Sequence, residues 1–392
     1  MIFIGIDVAK DKHDCCIINS DGVILNDSLR IPNCREGFES LYSSILSFLP
    51  NRDIYNVKIG LESTGHYSTN LQNFLYSKGF KLTILNPLAT NLFRKAQTLR
   101  KTKTDKTDAL VIAKMLFSDD TKSYLPVSYQ IQELKSLTRH RYRLIGYRSK
   151  LKLSITRLVD IIFPELSKYV WSIHQTSSYS LLSELPGPKD IADCHLTKLT
   201  NILNKASRGK YGKEKAIALK EAASTSIGTN TRALSFELKQ TIRLIQSVQA
   251  EINALDLQIK EIVTEIDSPI MSIPGISYTL AAIILAEIGD IERFTKPAKL
   301  LAFAGLDPST YQSGKYKASH TPMVKRGSSY LRWAILTASR IVSIKNHTFA
   351  EYLAKKQAEG KHFYVAMSHV AKKLIHVIFH LLKTNTTFVP QM

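Results

Sequence analysis

Residues 2–8, Ile-Phe-Ile-Gly-Ile-Asp-Val, are apolar at odd and even positions alike, broken only by Asp7. A strand with one solvated face alternates apolar and polar residues; one that is apolar on both faces belongs at the centre of a sheet covered on both sides. The residues that follow supply such a sheet. Residues 12–19 and 23–31 read as two more strands joined by the turn Ser20-Asp21-Gly22, completing a meander. Helical spacing over 37–48, a short apolar strand at 57–61 ending in Glu62, a helix over 67–77, a strand at 81–85 and a helix over 107–117 follow. Three strands and then alternating helix and strand predict an α/β mixed sheet with helices packed against it, occupying residues 1–125.

The pattern changes after that. From about 127 to 160 the chain has no proline, and Leu134, Leu137, Leu144, Leu151, Ile155 and Leu158 recur at helical spacing, so a long amphipathic helix is expected. Between Glu133 and Asp160 it carries eight basic residues and no acid, among them Arg139, Arg141, Arg143 and Arg148. Such a run is usually a solvated helix face; the absence of compensating carboxylates favours nucleic-acid contact. A second long helix is expected over 231–266, able to pair with the first as an antiparallel coiled coil or to serve as a dimerisation arm. Residues 163–228 between them are Ser/Lys-rich and uninformative. These segments make a helical region at 126–268. A mainly α-helical third piece, 269–392, opens with Ile273-Pro274-Gly275-Ile276, which suits a helix-hairpin-helix turn as well as a plain Pro-Gly turn. It also lacks acids between Asp307 and Glu351, where Lys315, Lys325, Arg326 and Arg332 accumulate.

Charge and composition narrow the function. The 392 residues are 44% hydrophobic and 22% charged, which excludes a mainly disordered chain. Lysine and arginine number 53 against 33 acids, a net charge of +20, which favours a polyanionic partner. A membrane is disfavoured, because the apolar stretch at 278–286 stops at Glu287 and Asp290, far short of the roughly 18 residues a span needs. The N-terminus lacks the basic region of a signal peptide, and Cys15, Cys16, Cys34 and Cys194 form no C-x-x-C pair, so a reduced, cytoplasmic protein without thiolate metal is expected.

Four carboxylates stand out. Asp7 ends the first strand, Glu62 ends a later one, and Asp105 and Asp108 share one face at a helix start. Singly, each has a bland role as a turn, surface or capping residue. Together they can converge at one edge of a mixed sheet, where a divalent cation such as Mg²⁺ or Mn²⁺ would relieve their repulsion and serve phosphoryl chemistry. The basic stretch Arg94, Lys95, Arg100, Lys101, Lys103, Lys106 leads into the Asp pair and could draw a phosphate backbone to it.

These residues carry a resemblance. G-I-D-V-A-K (5–10), E-S-T-G (62–65), N-P (86–87) and K-T-D-K-T-D-A (103–109), followed by I-P-G-I (273–276), F-A-G-L-D-P (303–308), Q-S-G (312–314) and K-R-G-S-S-Y-L-R (325–332), are similar in order and spacing to the DEDD transposases of the insertion-sequence family numbered one hundred and ten, which the Piv and MooV DNA invertases resemble. The resemblance implies a RuvC-like, RNase H-type domain with Asp7, Glu62, Asp105 and Asp108 in the DEDD positions. It also implies a C-terminal transposase domain whose nucleophile is the serine of Q-S-G, Ser313. By the same resemblance the chain works as a homo-oligomer (a dimer or tetramer), the carboxylates of one subunit meeting the serine domain of another. The resemblance further implies a structured guide RNA from the element that pairs with donor and target DNA. Ser328 departs from the Asn or Asp that many relatives carry after K-R-G.

The chemistry alone leaves more open. A serine attacking phosphate needs positive charge near phosphorus, and Ser309, Ser319, Ser328 and Ser329 share the basic surroundings of Ser313. A structure-specific RuvC-like endonuclease using water, and a nucleic-acid-binding scaffold with an inactive fold, are the alternatives. No G-x-x-x-x-G-K-[ST] supports an ATP-driven step.

Overall fold

The computed structural model describes residues 1–49, 53–62, 66–85, 87–97, 104–118, 128–309, 312–313, 316–317 and 321–390. The chain forms two compact units, Met1–Val127 and Ser128–Met392.

In the first unit β1 (Ile2–Val8), β2 (Lys12–Asn19), β3 (Ile24–Pro32), α1 (Arg35–Ser47), β4 (Val57–Glu62), α2 (Thr69–Ser77), β5 (Leu82–Leu85), α3 (Pro87–Gln97) and α4 (Asp105–Ser118) follow in order. The sheet runs β3-β2-β1-β4-β5; β1 pairs antiparallel with β2 and parallel with β4, and β4 pairs parallel with β5. This mixed order is the sheet that the resemblance to RNase H-type domains implies. As its two apolar faces require, β1 is central. Ile2, Ile4, Ile6 and Val8 face a core shared with Phe38, Leu41, Leu71 and Leu75 of α1 and α2. Phe3 on the other face packs against Ala109, Ala113 and Leu116 of α4. Among the described elements of this unit, sequence spacing passes over α3, whose first residue, Pro87, is the proline of the N-P dipeptide. Proline suits a helix start because its missing N–H would be unpaired there.

Gly5 sets the spacing of sheet and helix. A Cβ there would collide with the Ala109 carbonyl oxygen and the Ala113 amide nitrogen, so only glycine lets α4 lie against β1. Gly5→Ala should therefore lift α4, costing at least about 2 kcal/mol of stability. Thermal melts and the excision assay below should show loss of activity beyond what the lost stability explains, since α4 carries two of the four carboxylates.

The second unit is helical: α5 (Tyr129–Ile162), α6 (Leu166–Tyr169), α7 (Thr176–Glu184), α8 (Pro188–Asp193), α9 (Leu196–Ser207), α10 (Lys213–Ser224), α11 (Arg232–Ile266), α12 (Tyr278–Ile288), α13 (Pro297–Phe303), the hairpin β6 (Gln312–Ser313) and β7 (Tyr316–Lys317), α14 (Ser329–Lys345), α15 (His347–Ala358) and α16 (Phe363–Thr384). The long helices α5 and α11 pack antiparallel, tied by Arg141–Asp256 (2.6 Å), Arg148–Gln249 (2.6 Å) and Arg157–Glu237 (2.5 Å). They pass through two cores. One joins Ile155–Phe163 to α7–α10 and the start of α11, and the other joins Leu134, Ile259 and Val263 to α12–α16. The segment 163–228 that sequence leaves blank is thus five short helices closing one core. The apolar stretch at 278–286 is α12, buried in the other core. By length and composition α16 is apolar enough to cross a membrane, yet Val370, Ala371, Leu374, Ile375 and Ile378 are buried in that same core.

Candidate active site and nucleic-acid surface

The carboxylate edge follows from how β1 and α4 align. Phe3 meets Phe117 with ring centroids 5.5 Å apart, and Gly5 abuts Ala109 and Ala113. Asp7, the next residue on the same face of β1, therefore reaches the first turn of α4, where Asp105 and Asp108 lie. Glu62 follows Leu61, which pairs with Ile6, and so ends the strand beside Asp7. The capping role open to the two helix aspartates is filled elsewhere: Thr104 Oγ1 accepts from the Thr107 N–H (3.2 Å) while Thr107 Oγ1 accepts from the Thr104 N–H (2.9 Å).

Burial, with the negative charges of Asp108, Asp105, Glu62 and Asp14, pushes the Asp7 carboxyl up to about 6. Asp14 lies directly across the antiparallel pair and is held by Arg30 at 3.0 Å. Arg94 Nη1 donates to Asp108 at 3.1 Å and its Nη2 to Asn91 at 2.9 Å. Lys12, half-buried, sits 3.8 Å from Asp105. The four predicted carboxylates thus share one electrostatic neighbourhood, though among the described residues no three His, Cys, Asp or Glu already stand as a ready metal site. His13 is fully buried and stacks on Phe38, and burial pushes its imidazole down, towards the neutral form.

In the second unit two predicted motifs zip together. The Ser328 N–H donates to the Phe303 carbonyl (2.8 Å), Lys325 to Gly305 (3.2 Å), Val324 to Asp307 (3.0 Å) and Ser309 to Pro322 (2.9 Å). At this crossing Gly327 has φ +89°, and a Cβ would strike the Phe303 backbone. F-A-G-L-D-P and K-R-G-S-S-Y-L-R are therefore the two legs of a ladder that carries the β6–β7 hairpin, with Ser313 opposite Tyr316. Ser63–Gly65, Asn86, Arg100, Lys101, Lys103, Gly314, Lys315 and Ser319 lie outside the described residues.

The basic residues divide. Arg139 makes a two-point contact with Glu287 (2.7 and 3.0 Å), Arg141 with Asp256 (2.6 and 3.1 Å), and Arg148 bonds Gln249. Carboxylates on α11 and α12 pair Arg139, Arg141 and Arg157, which corrects for these arginines the reading that the run lacks compensating acids: helices distant in sequence bring them. Arg332 likewise donates to the carbonyls of Ala304 (3.3 Å) and Lys325 (3.0 Å). Arg143, Lys95, Lys325 and Arg326 are exposed.

Sequence reasoning missed Glu287. It is 2% exposed and accepts from Arg139 and from the Ser328 hydroxyl (2.7 Å), while the Arg139 guanidinium lies over the Tyr330 ring at 4.9 Å. Burial alone would raise its carboxyl; the bonds from Arg139 and Ser328 hold it below the usual range. The signal was a lone acid ending an apolar helix, which is costly to bury unless paired. At 328 the serine caps α14 through the Leu331 N–H and donates to this carboxylate, which a carboxylate side chain there could not do when ionised. Glu287→Gln should cost about 3 kcal/mol in urea unfolding by leaving Arg139 half-buried without its charge partner, and replacing both residues with apolar ones should recover much of the loss.

Two family models match the chain: a DEDD-type transposase of the IS110 group over residues 4–164, and the transposase of the IS116/IS110/IS902 family over 267–354. The chain is similar to the insertion element IS116 uncharacterized 44.8 kDa protein of Streptomyces clavuligerus, 25% identical over 99% of this chain and 96% of that protein. It is also similar to the mini-circle putative transposase for IS117 of Streptomyces coelicolor, 24% identical over 100% of this chain and 96% of that protein. Among solved structures, RuvC of T. thermophilus in complex with a Holliday junction substrate aligns with 32% of this chain and all of its own, at 12% identity and a TM-score of 0.24, a likeness too slight to bear on the chemistry. With both halves matched in order and relatives aligned end to end, the chain belongs to the IS116/IS110/IS902 family of transposases.

Proposed function

We propose that this chain is the site-specific recombinase of a mobile element, cutting and rejoining DNA through a covalent serine–DNA intermediate formed by Ser313, with Asp7, Glu62, Asp105 and Asp108 holding Mg²⁺ or Mn²⁺. The observation that carries the reading is the convergence of carboxylates that lifts Asp7 to about 6. The donor set fits a hard divalent cation, being oxygen-only and rich in repelling negative charge. Such a cation, when bound, would neutralise charge on a phosphodiester and favour an activated oxygen.

The protein's own groups would act as follows. The Ser313 hydroxyl loses its proton to a base and its oxygen attacks phosphorus; the bond from phosphorus to one DNA oxygen breaks, and that oxygen leaves as a strand-end hydroxyl. The phosphoester energy is kept in the serine–DNA bond, so attack by another strand's hydroxyl reseals DNA without ATP and frees the serine. The exposed Arg143, Lys95, Lys325 and Arg326 suit the backbone of donor and target DNA. In keeping with the family resemblance, a guide RNA encoded by the element reads both DNAs, and the working form is a dimer or tetramer.

The test uses the gene with its native flanks. Outward-facing amplification should detect an excised circular junction with the wild type and none with Ser313→Ala or Asp7→Ala. A junction surviving Ser313→Ala would overturn the serine mechanism and leave cutting and joining to the carboxylate site alone, whereas cut ends without a junction in the wild type would point to carboxylate-activated water, as in a structure-specific endonuclease.

A further inference from the structure

The helices α6, α7, α9 and α10 and the segment between α6 and α7 line an open pocket of about 770 Å³, far in sequence from the carboxylates and the serine hairpin. Its lining includes Lys168, Tyr169, Trp171, Lys210, Tyr211 and Lys215, and holds no acidic residue. Trp171 is 93% exposed, although a tryptophan is among the costliest side chains to leave in water. Its position is set from below: the Tyr211 hydroxyl accepts from the Trp171 backbone N–H (3.1 Å) and from the Gln175 side-chain amide (2.9 Å). Lys215 Nζ lies 6.0 Å from the Tyr169 ring centroid and 5.8 Å from that of Tyr211, so a cation stands among the aromatic faces. Lys168 and Lys210 are exposed at the same site.

We propose that this cavity is a binding site for an unpaired nucleotide of a single-stranded nucleic acid, the base stacking on Trp171 and its phosphates meeting Lys168, Lys210 and Lys215. Every base offers a π-face and every nucleotide a negative charge, and a surface of presented aromatics with flanking cations answers both. A duplex keeps its bases stacked on one another and presents no free face to Trp171. An acidic or apolar peptide would match only half of the lining. The proposal is independent of the serine and carboxylate chemistry, because binding here requires no strand cleavage, and its failure leaves the recombinase reading standing.

Full-length protein would be titrated with fluorescein-labelled oligouridine RNA, the matching oligothymidine DNA and a mixed-sequence DNA duplex, read by anisotropy at several salt concentrations. Trp171→Ala is expected to weaken single-strand binding five- to fiftyfold, with Trp171→Phe restoring most of it, and with duplex binding unchanged. Substituting Lys210 and Lys215 with alanine should lower the salt slope for the single strand by about one unit. In Trp333→Phe protein, which keeps Trp171 as its only tryptophan, the strand should quench fluorescence. A larger Trp171→Ala effect with RNA assigns the site to RNA, and a larger one with DNA to an unpaired DNA strand. Single-strand affinity unaltered by Trp171→Ala, with no quenching of Trp171, overturns the proposal. Because the side chain is almost wholly exposed, unchanged thermal melting of Trp171→Ala is expected and separates lost binding from lost folding.

Discussion

Ser313→Ala is expected to eliminate the excised junction and any covalent protein–DNA complex, a fall of about a thousandfold or more, while the thermal transition stays where it was. The size follows from the role: removing a nucleophile removes the reaction path itself and not merely a contact to the transition state. Stability should hold because Ser313 pairs with Tyr316 through the backbone of the hairpin, which alanine preserves. Trapping the complex on a nicked or suicide DNA substrate and resolving it on a denaturing gel reads the step directly. Ser309→Ala and Ser329→Ala serve as controls, since both serines lie in the same basic region. Ser328→Ala should behave differently from all three, because its hydroxyl both caps α14 and donates to the buried Glu287; it should lose stability as well as activity. Covalent complex persisting in Ser313→Ala and lost in one of the others would move the nucleophile to that residue.

The second large effect is at Asp7. Asp7→Asn should abolish excision and yet stabilise the protein at neutral pH in the absence of divalent cations. The carboxyl's pKa of about 6 in the fold lies above its ordinary value of 3.8, so the fold favours the protonated form. That contribution is fully present below about pH 4 and is lost as pH rises through about 6. Above pH 6 the ionised Asp7 stands partly buried beside Asp108, Asp105 and Glu62, and an amide of the same shape removes the repulsion. After discounting for solvent screening, the gain is on the order of 1–2 kcal/mol, seen as a Tm several degrees higher at pH 7.5 and a vanishing difference near pH 4. Mg²⁺ should raise the wild-type Tm more at pH 7.5 than at pH 5.5, because protons compete with it at Asp7, and should leave Asp7→Asn nearly unmoved. An Asp7→Asn protein that is less stable at pH 7.5 and still answers to Mg²⁺ would sink the metal-site reading.

The carboxylates were legible in the sequence because each sits at an element end that periodicity locates well. Asp7 interrupts an apolar strand, Glu62 closes another, and Asp105 and Asp108 open a helix. What sequence spacing does not show is Arg94 on Asp108 or Asp14 opposite Asp7, since the first depends on where α3 lies and the second on strand register. The basic run on α5 misled for the same reason. Its lack of acids is a local fact, while charge compensation is a spatial one, and Asp256 and Glu287 lie 115 and 148 residues from their arginines.

The apolar periodicities by themselves determined a central strand covered on both sides, the mixed sheet around it and two long amphipathic helices, because burial of a strand face or a helix stripe is a property of each element's own pattern. Only the tertiary structure decided that α4 comes close enough to β1 to crowd four acids, that two motifs beginning 22 residues apart form one ladder carrying the hairpin of Ser313, and that a segment without a strong pattern folds into five helices, four of which line an aromatic, basic cavity. Each of those outcomes depends on the close approach of groups remote in the chain, which hydrophobic pattern permits but does not specify.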